Sequence, residues 1–522
     1  MGGWVGERAG TVKTNLNAGP LARFIWRVRD RSGTDAAMLL RMMRGGQAGA
    51  PLILGLIFLF AVLSVLRPVN HDESQYVAAA ILARNALPWR DFAYFQTPLQ
   101  PVLFAPVAVG LGTLAWPGLR VLNAVLGVIA VLMVGRAARA AGATSRMAII
   151  VAGLFAGTDV LLFSAGTARN DALPAAALAG ALVLIVRAAQ GQGSTRHALL
   201  TGFLLALAAG AKISYAIPAV AYFVWALLDR RHRPVMIALG TLPVIALIGW
   251  MVAQAPEAAR FEMLTFPALA PDQMYRDAGR AFKLSLGFKA IDTLKFLALG
   301  TALPAIVAVA ARWRRDEQGL ARLLDMLIVA GLVAALLPEP TWRQYLLPVL
   351  PPLFVRLALL WESRPPARWE RIAFAVFFFA GLAPSVEAMV LTAEHGAPMA
   401  NAVTDGARLT AAMDQQGVTG MVATLSPQYV AATGRAIDPR FAAGPFYFRS
   451  HDLLDPASER TLNLVSAKNL DGAVLPNAVL VGGDADAEGG DPALEAKLAA
   501  WAAPHAVGIA RLNGKFTLYV LR

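Results

Sequence analysis

The stretch GGQAGAPLILGLIFLFAVLSVL (residues 45–66), followed a few residues later by HDES (residues 71–74), decides the fold class of this chain. Residues 45–66 contain no Lys, Arg, Asp or Glu, and an apolar helix of about 20 residues spans the ~30 Å hydrocarbon layer of a bilayer. The run therefore predicts a transmembrane helix, with Asp72 and Glu73 just outside the membrane. An acidic pair in this position is either a solvated loop face or part of a site for chemistry or transport.

The composition of the whole chain is that of a polytopic membrane protein. Hydrophobic residues make up 57% of the 522 residues and charged residues 16%, with a mean hydropathy of +0.54, whereas soluble proteins carry about 25% charged residues. The net charge of +13 comes from Arg clusters that alternate with apolar runs. This pattern is typical of cytoplasmic loops and argues against nucleic-acid binding. Because the chain has no Cys, disulfides, thiolate nucleophiles and Cys-ligated metals are excluded.

The basic clusters predict which loops face the cytoplasm. Residues 1–48 are rich in Arg and lack a signal-peptide cleavage site, which indicates a cytoplasmic basic extension; Met38, Met42 and Met43 are alternative starts. About ten further apolar runs between residues 119 and 391 are candidate spans. If residues 98–116 form a re-entrant or surface helix, as their prolines favour, five later Arg clusters all fall on the cytoplasmic side, as the positive-inside rule requires.

The composition changes to that of a soluble domain after about residue 392. Residues 49–392 are therefore expected to form the transmembrane domain, with a first outer loop at 67–97, and residues 393–522 a periplasmic α/β domain. Local signals support secondary structure there: Asp491-Pro492 predicts a helix start, and Asn513-Gly514 between two apolar runs predicts a β-hairpin. A helix is also predicted at 403–416, and strands at 420–425 and 478–481.

Three ordered motifs fall on the outer face in this topology. They are DESQY (72–76) with the later LPWRDFAYFQTPLQP (87–101), then GTARNDALP (166–174), and finally WRQYLLP (342–348). The set resembles membrane-embedded GT-C glycosyltransferases, in particular the superfamily that contains the protein O-mannosyltransferases and the lipid A aminoarabinose transferases. The resemblance covers about residues 50–390. It implies a mainly α, GT-C-like polytopic membrane protein with about 11 to 13 transmembrane helices, and it explains neither residues 1–48 nor the C-terminal soluble α/β domain.

The resemblance also implies an activity. GT-C enzymes of this kind are polyprenyl-phosphate-sugar-dependent glycosyltransferases (EC 2.4 class) that transfer the sugar with inversion at the anomeric carbon. An acceptor hydroxyl or amine needs a carboxylate to take its proton, which makes Asp72 the candidate base and Glu73 a second catalytic candidate. The departing phosphate stays anionic and needs cations. The candidate donor phosphate-binding residues are Arg343, Lys212 and Arg169.

Further site residues come from the same motifs. Tyr345, Tyr94 and Gln96 are candidate substrate-binding residues. Asp171 is a candidate metal ligand, because some GT-C enzymes hold Mg²⁺ or Mn²⁺ through outer acidic residues, whereas others need no metal. The alternative for Asp171 is a cap on the helix that begins at Ala172. No cofactor is therefore firmly predicted.

Alternatives remain open at this point. Lys212 can instead snorkel from the end of a short span, and Asp159, inside an apolar run, is expected to face the bundle interior. A membrane transporter or flippase of lipid-linked or anionic substrates is the main functional alternative, followed by an O-antigen ligase or polymerase and a membrane scaffold. The expected partners are a polyprenyl-phosphate-linked sugar donor, membrane lipid, and an envelope glycan, lipid or protein acceptor. Frequent Ala and Arg favour a high-GC bacterium, and hence its inner membrane.

Overall fold

The structure of the protein, a computed structural model, describes residues 49–313, 319–485 and 487–521. The predicted basic extension, residues 1–48, lies outside the described residues. The chain divides into two compact units within its first described helix, between Leu56 and Ile57. All the contacts discussed below lie in the second unit, and the described chain is mainly helical, as the sequence predicts.

Seventeen helices follow one another through the apolar part of the described chain. They are α1 Gly49–Leu66, α2 Glu73–Leu82, α3 Leu99–Leu111, α4 Ala115–Ala140, α5 Ser145–Ala156, α6 Asp159–Gly166, α7 Ala172–Ala189, α8 Thr195–Ala211, α9 Ala216–Leu228, α10 Pro234–Gln254, α11 Pro256–Arg260, α12 Phe266–Asp277, α13 Leu286–Ala298, α14 Ala302–Ala311, α15 Leu320–Leu336, α16 Leu350–Ser363 and α17 Arg368–His395.

Several of these helices are suited to a bilayer. Within the described residues, five helical segments are long and apolar enough to cross a membrane, or up to seven if each of two bent pairs is one span. The bent pairs are α5 with α6, at 67°, and α13 with α14, at 103°. Shorter apolar helices cover Ile53–Leu66, Thr195–Ala211 and Ile213–Leu228. The chain is a multi-pass membrane protein, and the number of about 11 to 13 spans stays a prediction.

The segment of residues 98–116 forms a short helix and a sharp turn. Helix α3 has 13 residues, a length of about 20 Å, which is less than the ~30 Å of a bilayer core. The turn at Gly112, with φ of 55°, separates α3 from α4. Phe104 and Ala108 of α3 pack in one core with residues of the C-terminal segment. The segment Leu99–Ala140, which joins α3 and α4, is one of the five that are long and apolar enough to cross a membrane, so the surface or re-entrant interpretation of residues 98–116 stays a prediction.

The basic loops gather at one end of the helical bundle. Gln190 Nε2 donates to Ala141 O at 3.4 Å, and Thr144 N donates to Glu362 Oε2 at 3.1 Å. Helix α7 begins next to the GTARND motif and ends at this basic end, 18 residues or about 27 Å later. The basic clusters near residues 141, 190 and 362 are therefore separated from the motif by the length of a helix.

The C-terminal segment adds five helices and four strands. They are α18 Pro398–Gln415, β1 Val422–Ala423, α19 Pro427–Ala431, α20 Pro445–Phe448, α21 Pro456–Thr461, β2 Ala478–Val481, α22 Pro492–Ala502, β3 Ala506–Leu512 and β4 Phe516–Leu521.

The four strands form one mixed sheet in the order β1-β2-β4-β3. Strands β1 and β2 are parallel, and the other two neighbouring pairs are antiparallel. The predicted hairpin is confirmed, but its last strand pair is Leu512 with Phe516, so the loop has three residues instead of two. Asn513 and Gly514 in this loop have φ of 54° and 67°, the positive values typical of tight hairpin turns. The predicted helix start is also confirmed, since the side chain of Asp491 accepts a hydrogen bond from Ala493 N at 2.9 Å.

Two hydrophobic cores involve the sheet. One core lies within the C-terminal segment and includes Phe441, Val479 and Trp501. The other is shared, because Leu409 and Phe516 pack in it together with residues of α2, α3 and α4. The segment is thus packed onto the end of the helical part that carries the first motif, and the domain boundary between residues 392 and 393 stays a prediction.

The separation of the two ends predicts a labelling pattern that reports orientation. The chain has no native Cys, and Ala457, Gln192 and Ser363 are exposed. By the positive-inside rule, Ala457→Cys is expected to react with a membrane-impermeant thiol reagent in cells whose outer membrane has been permeabilised, whereas Gln192→Cys and Ser363→Cys react only after lysis. Labelling of Gln192→Cys in unlysed cells would reverse the predicted orientation.

Candidate functional site

Side chains from all three sequence motifs meet at the non-basic end of the helices. Arg169 pairs with Asp72 and, through Nε, with Asp171 Oδ2 at 3.0 Å. Lys212 pairs with the second oxygen of Asp171, and its Nζ lies 5.1 Å from the ring centroid of Tyr345. The first, second and third motifs therefore contribute to one charged cluster.

Asp72 lies in the turn between α1 and α2, where its carboxylate is partly open. Its side chain is 20% exposed, and Oδ1 lies 2.8 Å from His71 Nε2. The side chain of Asn70 accepts a hydrogen bond from Asp72 N at 3.2 Å, which fixes the turn. Burial lowers the pKa of His71 to about 4, and the charges of Arg449 and Arg169 contribute to this decrease. A neutral His71 can therefore donate a hydrogen bond to Asp72 at pH 7.

Asp171 and Lys212 form a buried pair. Burial raises the pKa of Asp171, but Lys212 and Arg169 outweigh this effect and leave the pKa below its usual value. Burial lowers the pKa of Lys212 although Asp171 opposes the shift. The side chain of Asp171 makes no capping hydrogen bond to α7, so the cap interpretation is wrong. The snorkelling interpretation of Lys212 is also wrong, because its side chain is only 3% exposed.

A second group of charges surrounds Asp159 at the break between α5 and α6. Asp159 Oδ1 lies 2.8 Å from Arg67 Nη2, and Oδ2 lies 3.1 Å from Arg343 Nη1. The guanidinium carbon of Arg343 lies 3.6 Å from the ring centroid of Phe163, and its Nη2 lies 3.3 Å from Glu488 Oε1. Asp159 is 1% exposed, which confirms the expected interior position.

Glu73 is fully buried, in contrast to its neighbour Asp72. Its carboxylate pairs with Arg120 Nη2 at 2.5 Å and accepts from Arg120 Nε at 2.8 Å. It also accepts from the backbone N–H groups of Ala168 at 2.6 Å and Asn70 at 3.2 Å, and from Trp116 Nε1 at 3.4 Å. With every oxygen engaged and none open to substrate, Glu73 is placed as an anchor between the first two motifs, which does not favour the predicted catalytic role.

The two substrate-binding candidates of the first outer loop differ in accessibility. Tyr94 is fully buried; its hydroxyl donates to Gln100 Oε1 at 3.2 Å and its N–H to Glu262 Oε2 at 2.6 Å. Gln96 is half-buried and accepts from Asn170 Nδ2 at 3.4 Å. Gln96 therefore lies beside the second motif, whereas Tyr94 supports the loop from within.

The residues of the cluster do not fit a divalent metal. Within the described ranges, no group of three or more His, Asp and Glu side chains is arranged to hold an ion. Both oxygens of Asp171 face cations, Arg169 and Lys212. Mg²⁺ and Mn²⁺ need several oxygen ligands, so the predicted metal role of Asp171 is not supported and we derive no step through a metal.

Sequence reasoning missed three charged residues of this region, Arg67, Arg120 and Glu488. Arg120 did carry a signal, because it is the only charged residue in the apolar sequence from 98 to 135 and charges at membrane depth usually face a partner. Arg67 follows directly after the first apolar run. Glu488 carried none, since it lies in the C-terminal segment, far from the motifs in sequence.

The sequence and the fold can be compared with known proteins. The sequence model of glycosyltransferase family 87 matches residues 94–340, and no curated protein sequence matches the chain. The fold is similar to that of ArnT from Cupriavidus metallidurans bound to undecaprenyl phosphate, with 13% identity, a TM-score of 0.60, and coverage of 91% of this chain and 98% of that chain. The fold is also similar to that of ArnT from Cupriavidus metallidurans in the apo state, with 12% identity, a TM-score of 0.59, and coverage of 90% of this chain and 97% of that chain.

A more distant similarity extends to the oligosaccharyltransferase of Archaeoglobus fulgidus tethered with an acceptor peptide, at 12% identity, a TM-score of 0.46, and coverage of 85% of this chain and 72% of that chain. The family-model match and the ArnT-like fold confirm the resemblance to GT-C membrane glycosyltransferases that the motifs predict. The match at 94–340 includes the second motif, while Asp72 and Arg343 lie outside it.

The buried pair of Glu73 and Arg120 predicts a strong effect on stability. Glu73→Gln removes the negative charge and leaves the buried Arg120 guanidinium facing only neutral acceptors, the amide oxygen and the backbone carbonyls of Ser64, Arg67 and Pro68. Breaking one side of a buried pair costs about 3–5 kcal/mol, so the apparent Tm in detergent is expected to fall by several degrees or more. Asp272→Asn, which breaks an exposed pair with Arg276, is the matched control and should leave Tm unchanged. Equal Tm values for both variants would contradict the anchor role.

Proposed function

We propose that this chain, with its GT-C glycosyltransferase fold, transfers a sugar from a polyprenyl-phosphate donor to an acceptor at the periplasmic face of a bacterial inner membrane. The observation that carries the proposal is a partly open carboxylate, Asp72, in a cluster of cations. ArnT, whose fold is similar, binds undecaprenyl phosphate. The acceptor is an envelope glycan, lipid or protein.

Among the carboxylates that the helical part brings to the site, exposure selects Asp72 as the base. The carboxylates of Glu73, Asp159 and Asp171 are at most 1% exposed and face cations, whereas that of Asp72 is 20% exposed. A general base must reach the acceptor proton within hydrogen-bond distance, and this requires an open oxygen. Arg169 and a neutral His71 hold the carboxylate from two sides, so its orientation is set before substrate binds.

The reaction is a single displacement. The acceptor oxygen or nitrogen attacks the anomeric carbon and forms the new glycosidic bond while its proton passes to Asp72. The bond between the anomeric carbon and the phosphate oxygen breaks, and the electron pair leaves with polyprenyl phosphate. No covalent enzyme intermediate forms, so the anomeric configuration inverts. The proton leaves Asp72 to water after product release.

The leaving group gains negative charge as the bond breaks. Cations that are held in place before the reaction stabilise such charge without the cost of reorganisation. We assign this role to Arg343, Lys212 and Arg169, with Arg343 the most suitable because its side chain is 18% exposed, against 3% and 4% for the other two. Guanidinium groups can bind two phosphate oxygens at once. We assign contact with the sugar to Tyr345, whose ring lies beside Lys212, and to Gln96, which lies beside Asn170.

The transport alternative makes a different demand on the fold. Transporters place their charged residues at the midplane, between repeated halves of the bundle. Here the charges are brought together where helices end, at residues 67–73, 169–171, 212 and 343. This location supports chemistry at one membrane face.

Asp72→Asn is the direct test of the base. The amide keeps the shape of the carboxylate and loses the proton acceptor, so transfer is expected to fall by about 10²- to 10⁴-fold. The envelope glycans and lipids of a deletion strain, compared with wild type by mass spectrometry, identify the missing sugar. Complementation with wild type should restore it and complementation with Asp72→Asn should not.

Asp91→Asn is the matched control, because Asp91 is a carboxylate of the same loop that pairs with exposed Arg90 rather than with the cluster. It should restore the sugar fully at equal protein level in the membrane. Full restoration of the sugar by Asp72→Asn would show that Asp72 is not the base, and it would favour a transporter or a scaffold over an enzyme.

Among the described residues no side chains form a suitable ligand set, which predicts metal-independent transfer. Purified protein treated with EDTA and dialysed should transfer sugar at the same rate as untreated protein, and added Mg²⁺ or Mn²⁺ should not raise the rate. A rate that is lost with EDTA and recovered with Mn²⁺ would show that substrate completes a metal site that the described side chains do not form by themselves.

A further inference from the structure

The C-terminal segment reaches the candidate site through one loop. His71 N donates to Glu488 O at 3.3 Å, and Glu488 N donates to Val69 O at 2.8 Å. These two bonds tie the backbone at Glu488 directly to the turn that carries Asp72. Gly489, with φ of 88°, lies against the ring of His71, where a side chain would approach the ring to 3.3 Å. The backbone at Glu488 is thus held beside the turn independently of the contacts that the Glu488 side chain makes.

The Glu488 side chain pairs with Arg343, the cation that we assign first to the donor phosphate. Its Oε1 is 3.3 Å from Arg343 Nη2, and Oε2 is 3.5 Å from Asn70 Nδ2. The side chain of Glu488 is 52% exposed, whereas that of Asp159, the other partner of Arg343, is 1% exposed. An exposed ion pair contributes little net free energy, so a ligand can displace Glu488 from Arg343 while Asp159 stays in place.

The net charge around the site depends on the contact between Glu488 and Arg343. Four cations face four carboxylates: Arg67, Arg169, Lys212 and Arg343 against Asp72, Asp159, Asp171 and Glu488. The two groups of charges, around Asp171 and around Asp159, are together neutral while Glu488 pairs with Arg343, and they carry one positive charge when Glu488 moves away. A phosphodiester, such as the link between a sugar and a polyprenol, carries one negative charge and would restore neutrality.

We infer that Glu488 is a stand-in for the donor phosphate, a carboxylate that pairs with Arg343 and is displaced when the lipid-linked phosphate binds. This inference rests on the proposed function. It makes Glu488 a positioning residue that acts through Arg343. It keeps Arg343 extended towards the site and lowers the affinity for the donor, because the phosphate must compete with an attached anion.

The test compares phosphate binding by wild type and Glu488→Gln, both as the full chain in detergent. The amide keeps the size of the side chain and the backbone bonds to residues 69 and 71, and it removes the competing charge. Undecaprenyl phosphate is the probe, with inorganic phosphate in parallel to separate the lipid-linked anion from a free one. Glu488→Gln is expected to bind undecaprenyl phosphate about two- to fivefold more tightly than wild type. The gain should shrink in 1 M NaCl, where the Debye length is about 3 Å.

The KM for the lipid-linked donor gives a second measure of the change in affinity, and it should change in the same direction as the dissociation constant. In Glu488→Gln the KM for the lipid-linked donor should fall by the same factor while kcat is unchanged, since Glu488 touches no reacting atom. Glu488→Asp keeps the charge and withdraws it by one methylene, so a smaller gain in affinity is expected. Glu394→Gln, at an exposed carboxylate of α17 beside His395, is the matched control and should bind as wild type does.

Each outcome is decisive. Equal binding by wild type and Glu488→Gln would overturn the inference and leave the proposed function standing. Weaker binding by Glu488→Gln would overturn it in favour of a carboxylate that helps to hold the donor. Tighter binding of inorganic phosphate by Glu488→Gln without tighter binding of undecaprenyl phosphate would also overturn it, because Glu488 would then compete with a free anion and not with the lipid-linked phosphate. No binding of undecaprenyl phosphate by any variant would overturn the proposed function, and the inference with it.

Discussion

The buried contact between Glu73 and Arg120 is the interaction on which the arrangement of the site depends. Glu73 accepts from Arg120, from the backbone of residues 70 and 168, and from Trp116, so one carboxylate joins the turn after α1, helix α4 and the second motif. Arg120 in turn donates to the carbonyls of Ser64, Arg67 and Pro68, at the end of α1. A buried charge without partners would be costly, and this requirement holds the three segments together.

The same principle explains why adjacent acids have different roles. Asp72 and Glu73 are neighbours in sequence, but Glu73 begins α2 on its buried side, whereas Asp72 precedes the helix and points to the open side of the turn. Burial forces Glu73 to engage all its hydrogen-bonding capacity. Partial exposure leaves Asp72 with an oxygen surface that a substrate can reach. Chemistry is therefore assigned to the less buried member of the pair.

Charge balance is the second constraint on the site. A cluster of eight charged side chains near a membrane is tolerable because opposite charges alternate at hydrogen-bond distance, from Lys212 through Asp171 and Arg169 to Asp72, and from Arg67 through Asp159 and Arg343 to Glu488. Each of these two series of ion pairs ends on a carboxylate that is more exposed than the other side chains of the series, Asp72 in the first and Glu488 in the second. Such ends are where an incoming anion or an acceptor proton can be exchanged at low cost. The C-terminal segment supplies one of these ends, which links it to the chemistry as well as to the shared hydrophobic core.

The sequence by itself determined the membrane class, most helices, the hairpin at Asn513-Gly514, and the gathering of three motifs at one end, because hydropathy, turn chemistry and loop charge are local properties. It also pointed to Asp72, Arg169, Lys212 and Arg343 as members of one site. Only the tertiary structure decided which of the site's side chains are exposed to a substrate and which are buried in ion pairs. Burial separated Asp72 from Glu73. The pairing of Asp171 with Arg169 and Lys212 leaves it without a capping hydrogen bond and does not support a role as metal ligand. The pairing of Arg343 with Glu488, 145 residues apart in sequence, follows from long-range packing, which no local pattern encodes.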